Sequence, residues 1–257
     1  ISFTLSAMAV IYYLAFLSRT LHFYRLRMTV KSLMLTGRNL WYQIKAGFSA
    51  MLGQVAISFT VIVGNYVFIR YLGEDGVAAY GVVCYILPIV FMIASAIVQS
   101  VQPILSFAYG AGDVERMRQA RNIAVRGGVI GGILSSLVLI LCSRWVTLIF
   151  IPSGEAAYDL CTGGLKYFGI AGLFVSVNLV MVGYLQSVKR SGMATLYSSL
   201  RGFLLLLLCF ILLPIILGNT GIWLAIPVSE ALTLAIMSVV LLVSGGRCCG
   251  SRRTRRS

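Results

Sequence analysis

The chain is 257 residues long, 59% of them hydrophobic and 11% charged, with a mean hydropathy of +0.94 and a formal charge of +14. That balance excludes a water-soluble domain, which could not hide so much apolar surface, and predicts an integral membrane protein. The positive charge is gathered in a few segments, so it reads as a topology signal and not as a nucleic-acid interface.

Uncharged blocks run over 1–17, 46–69, 77–109, 127–142, 167–188, 202–217 and 222–243, seven candidate spans. Each is read as a helix, because an open strand would leave backbone groups unpaired in lipid. The first block, 1–17, opens on Ile1 with no basic region before it, unlike a signal peptide. It is read as the end of a preceding transmembrane helix, and the chain as a fragment or a product lacking its front. Segment 18–45 holds six Lys and Arg residues with Leu21, Phe23, Tyr24, Leu26, Met28 and Leu33 between them. That mixture suits a basic cytoplasmic linker lying at the membrane surface.

Blocks 46–69 and 77–109 are long enough to cross, given that a span needs about 20 residues. After them comes "YGAGDVER", 109–116, whose GxG lacks a third glycine and follows a membrane helix instead of a strand. It therefore reads as a tight turn with Asp113 capping the next helix and Glu115 near its positive end, not as a nucleotide loop. Blocks 127–142 and 202–217 are short. They are expected to extend upstream, with Arg126 and Arg201 reaching toward one interface. The last block, 222–243, is followed by a basic tail, 244–257.

Basic loops stay on the cytoplasmic side. With 18–45 inside, 110–126, 188–201 and 244–257 are inside too, and these four segments hold six, four, three and five of the 21 Lys and Arg. Only Arg70, Arg144 and Lys166 fall outside, together with Glu74, Asp75, Glu155 and Asp159.

Catalytic and metal chemistry lack candidates. The six cysteines form no CxxC, His22 is the only histidine, and there is no HExxH or Walker lysine. No catalytic residue, metal site or cofactor is predicted. Cys142 and Cys161 flank one outer loop and read as ordinary buried thiols in preference to a disulfide. Cys248 and Cys249 follow the last span as two small residues at a helix end, with palmitoylation as the alternative.

Polar residues inside the spans carry what is left. Pro88, Met92, Ser95, Gln99, Gln102 and Ser106 recur at steps of three and four, which puts them on one helix face. Trp223, Pro227, Glu230, Thr233 and Met237 do the same. Gln54, Ser58, Val61 and Asn65 mark another span, and Phe174, Asn178 and Met181 a fourth. Taken singly, such residues are helix–helix glue worth roughly 1 kcal/mol each. Pro88 and Pro227 are candidate kinks.

Glu230 is different. It lies about 12 Å below the start of its block, near the bilayer middle, where an acid costs roughly 3 kcal/mol. The block boundaries leave no basic residue in the middle of another span, so no ion-pair partner is predicted within the chain. The carboxyl is then protonated, or faces a wet cavity or another part of the protein. A transport role and a packing role both remain open on these grounds.

The segment "VQPILSFAYGAGDVERMRQARNIAV", 101–125, resembles the end of the second helix and the following loop of each lobe in multidrug and toxic compound extrusion (MATE) transporters. "GIWLAIPVSEALT", 221–233, resembles their last helix, and "GYLQSVKRSG", 183–192, a cytoplasmic turn between spans. The match covers about 200 residues, roughly 46–243. It implies an all-α polytopic bundle: a six-helix C-terminal lobe, 46–243, of a twelve-helix antiporter, completed by an N-terminal lobe. It further implies coupling to H⁺ or Na⁺ and export of amphipathic organic cations across a membrane, bacterial and cytoplasmic in the commonest case. The pathway candidates are then Glu230, Gln54, Ser58, Met92, Gln99, Gln102, Phe174, Asn178, Trp223 and Met237. Some branches of that family carry a carboxylate in the seventh helix, whereas 46–69 has none. A lipid-linked oligosaccharide flippase of the same superfamily and a seven-span receptor are the competing readings.

Overall fold

A computed structural model describes residues 8–12, 16 and 30–250, with most side chains placed between Met51 and Val240. The candidate span 1–17, apart from those few helical residues, most of the linker 18–45 and the tail beyond residue 250 lie outside the described residues. So do the side chains of Cys248 and Cys249. The chain divides into two compact units, Ile1–Lys45 and Ala46–Ser257. In the first, residues 8–12, 16 and 30–45 are described, all of them helical. The second contains everything that follows.

Every described element is helical: α1 (Val30–Ala111), α2 (Val114–Leu141), α3 (Ser143–Phe150), α4 (Ala156–Gly169), α5 (Ala171–Ser187), α6 (Ser191–Ser199), a π-helical turn (Leu200–Leu204), α7 (Leu205–Leu217) and α8 (Asn219–Gly250). Its apolar part, Met51–Ala111, is far longer than one crossing. The excess is resolved at Gly73, whose φ of 68° and ψ of −156° break the helix into two arms. A side chain is strongly disfavoured in that conformation, so glycine is the residue that can reverse the chain here. The arms pack against each other: the Tyr80 hydroxyl donates to the Thr60 carbonyl at 2.9 Å, and Phe68 stacks on Tyr80 with ring centroids 4.4 Å apart.

Counting the two arms separately gives six apolar passages among the described residues. The others are α2, the bent pair α4–α5 with a 41° angle at Ile170, the combined Ser191–Leu217 run, and Asn219–Val240. The two blocks expected to extend upstream do so, to Val114 and to Ser191. Asp113 caps α2 as its position suggested, its Oδ1 accepting from the Arg116 amide at 2.9 Å, and Glu115 stands in the first turn. Cys142 and Cys161 are free thiols, and Cys161 lies 3.4 Å from the Thr147 hydroxyl.

The core joins both arms of α1 to α4, α5, α7 and α8 through Phe68, Tyr80, Leu87, Leu165, Phe168, Val175, Phe210, Ile222 and Trp223. The Phe68–Trp223 pair meets edge to face at 4.8 Å. Close approach of α2 to α5 depends on small residues. A Cβ at Gly132 would stand 2.8 Å from the Leu173 Cα, so this helix crossing has no room for a side chain.

Candidate functional site

The polar centre of the second unit lies between α5, the α6–π–α7 run and α8. Glu230, in α8, is 6% exposed and Arg201, in the π-helical turn, 8%. The Arg201 Nε lies 2.8 Å from each carboxylate oxygen of Glu230. This corrects the expectation that Glu230 has no basic partner in the chain and that Arg201 reaches an interface. The span begins at Ser191, ten residues before Arg201, which therefore sits about 15 Å down the helix. A charge taken for a span boundary is an interior charge, and its partner on the next helix makes that burial tolerable.

The rest of the network fixes the carboxylate from its other side. Asn178, fully buried in α5, donates Nδ2 to Glu230 Oε2 at 2.6 Å and to the Glu230 carbonyl at 3.0 Å. The Tyr197 hydroxyl, from α6, donates to Asn178 Oδ1 at 2.5 Å. Donors and acceptors thus run in one direction, Tyr197 to Asn178 to Glu230, and Arg201 supplies the opposing charge. Phe91, from the second arm of α1, places its ring 4.9 Å from the Arg201 guanidinium carbon. That contact is a cation–π interaction, which is worth more where the cation is buried.

The π-helical turn has a direct part in this geometry. One extra residue within a turn shifts the helical register, and such insertions recur at functional sites. Here it carries Arg201 on the face that meets α8.

Beside the ion pair lies a partly open pocket. Its lining comes from both arms of α1 (Gly53, Ala56, Ile57, Thr60, Leu87 and Phe91), with Val175, Ser198, Arg201, Gly202, Leu206, Ile226 and Glu230 from the later helices. Among the described residues no cluster of His, Cys, Asp and Glu could hold a metal ion.

The predicted pathway residues divide sharply. Glu230 and Asn178 meet in the network. Trp223 and Met237 are buried in packing clusters, and neither lines the pocket. Met92 is 71% exposed, Gln54, Ser58 and Gln99 are exposed, and Phe174 is half-buried. Gln102 is half-buried, its Nε2 3.5 Å from the Gln186 Oε1. Met92, Trp223, Met237 and Phe174 are therefore absent from the lining of this pocket. Of the proposed kinks, Pro88 is exposed in α1 and Pro227 buried in α8, while the non-helical backbone in α1 is at Gly73.

Three members of the site were missed: Arg201, Tyr197 and Phe91. The Arg201 signal was present, since a helix starting at Ser191 puts an arginine a third of the way along it. Phe91 and Tyr197 carry no such mark, being aromatic residues in apolar helices.

Six apolar passages around a buried ion pair define a helical integral membrane protein with a polar site inside the bundle. The MatE family model matches residues 49–211, most of the chain, and the chain belongs to that family of multidrug and toxic compound extrusion transporters. It is 24% identical over 200 residues to the multidrug export protein MepA of Staphylococcus aureus strain NCTC 8325, an alignment covering 77% of this chain and 44% of that protein. MepA of Staphylococcus saprophyticus is 25% identical over 201 residues with the same coverage. The chain thus spans less than half the length of the curated relatives it matches.

Among solved structures, an outward-facing multidrug resistance MATE transporter of the MOP superfamily superposes with a TM-score of 0.81 at 17% identity, over 97% of this chain and 55% of that one. A MOP superfamily transporter from Pyrococcus furiosus, described as having a binding pocket of reversed polarity, gives 0.77 at 15% identity, over 93% and 55%. At such identities the likeness is one of fold.

Proposed function

We propose that this chain is the C-terminal lobe of a cation-coupled exporter, driven by H⁺ or Na⁺, that moves amphipathic organic cations out of the cell. The observation that carries the reading is the Arg201–Glu230 pair, buried within the bundle beside a partly open pocket. A coupling cation that takes the Glu230 carboxylate must loosen its hold on Arg201, and the helices carrying them are then free to repack. Coupling of this kind needs the ion to favour one packing over the other, and an ion pair that exists in one packing supplies that difference.

In this reading an N-terminal lobe completes the transporter, the bilayer surrounds it, and organic cations pass between the lobes near the midplane. The exposed side chains of Met92, Gln99, Gln54 and Ser58 are the candidates to face that passage. The membrane is a bacterial cytoplasmic one, as the staphylococcal relatives suggest, with 18–45 and the tail inside. A flippase has less support, since the one arginine of the pocket is offset by Glu230.

The test is ethidium uptake by everted vesicles carrying this lobe together with its N-terminal partner, under imposed H⁺ or Na⁺ gradients. Uptake that follows one gradient and disappears in Glu230→Gln is expected. Uptake indifferent to both gradients would overturn the reading.

A further inference from the structure

The pocket offers a second kind of chemistry, because the arginine that lines it has donors to spare. The Glu230 carboxylate already accepts from the Arg201 Nε and the Asn178 Nδ2. Arg201 uses only its Nε in this way. Nη1 and Nη2 make no hydrogen bond among the described residues, and neither is sealed from the surroundings as a buried unpaired atom. Arg201 is nevertheless more than nine-tenths buried and lines the pocket, so those nitrogens open into it.

An arginine in that state is incomplete. Buried polar groups are normally paired, and a guanidinium presents its outer edge as a fork that matches a carboxylate or phosphate. Phe91 covers a face of the guanidinium and leaves the edge to be met from the pocket. Ser198, which also makes no hydrogen bond among the described residues, lines the same space. The remaining walls, Ile57, Leu87, Val175, Leu206 and Ile226, are aliphatic.

We propose that this pocket binds the oxyanion group of an amphipathic molecule, a carboxylate or a phosphate, on the outer edge of Arg201, with the apolar body of the ligand against the aliphatic walls. The site lies within the second unit, and its binding of an acid does not depend on ion coupling. It admits amphipathic acids and zwitterions to a protein whose relatives are known as multidrug exporters. Glu230 holds Arg201 in place without occupying its outer edge, so the ion pair orients the donor fork.

The test is an equilibrium titration requiring no gradient. The chain in phosphatidylcholine nanodiscs is titrated with 1-pyrenebutyrate, its methyl ester and 1-pyrenebutylamine, followed by fluorescence. The acid is expected to bind about tenfold more tightly than the ester or the amine, the worth of a charge-assisted hydrogen bond. Arg201→Lys loses most of that advantage by removing the fork. Equal affinity for acid and ester, preference for the amine, or binding of none of them would each sink the proposal. The acid–ester comparison on the unaltered chain stands even if a variant fails to fold. Adding phosphatidylglycerol identifies the source: an advantage abolished by the lipid assigns the site to an anionic lipid headgroup, and one that persists assigns it to a free amphipathic acid.

Discussion

Arg201 and Glu230, 29 residues apart, meet inside the bundle with the guanidinium Nε 2.8 Å from both carboxylate oxygens. Breaking such a pair leaves an unpartnered charge in a poorly solvated place, whereas replacing both members removes the charges together. Arg201→Met alone is therefore expected to lower stability by about 3 kcal/mol, and Arg201→Met with Glu230→Leu to regain most of it. Thermal unfolding in detergent, followed by size-exclusion fluorescence, measures both. A double variant no more stable than the single one would show that the pair does not couple.

Tyr197→Phe removes one hydroxyl and leaves Asn178 Oδ1 without its donor in a fully buried setting. The expected loss is about 1 kcal/mol, with Asn178 free to turn its amide away from Glu230. Stability alone does not separate packing from positioning. Gradient-driven transport falling further than the small shift in unfolding midpoint explains would identify Tyr197 as a positioning residue.

Gly73→Ala puts a side chain at φ 68°, ψ −156°, where L residues are strained. A cost of about 2 kcal/mol is expected. Since the Tyr80–Thr60 hydrogen bond crosses the same turn, limited proteolysis near residues 72–76 should accelerate in the variant. Unchanged cleavage would mean that the turn accepts a side chain by moving elsewhere.

Gly132→Ala tests the crossing of α2 and α5. Its new methyl would meet backbone, the Leu173 Cα at 2.8 Å, so no rotamer relieves the clash. The helices must separate, at about 1–3 kcal/mol. Because α5 carries Asn178, the same variant is expected to weaken the polar network, seen as a smaller additional effect of Tyr197→Phe in its presence.

Some of this was legible in the residues themselves. Lipid demands long uncharged helices, so the six passages from Met51 to Val240 and the upstream extension of two of them followed from hydropathy and length. Asp113 could be read as a cap because capping is local, its partner Arg116 lying three residues away. Spacing put Pro88 to Ser106 on one face and Trp223 to Met237 on another. It did not say which faces turn inward: the first stripe is mostly exposed, and the second is buried throughout.

By itself, then, the sequence determined a polytopic helical membrane chain and singled out Glu230 as an acid needing an explanation. Only the tertiary structure decided what the explanation is. Helical periodicity fixes where a side chain points around its own axis but carries no information about the neighbour it meets. Arg201 looked like the edge of a span because a charge in lipid is costly, and it is an interior residue because another helix brings the opposite charge to it.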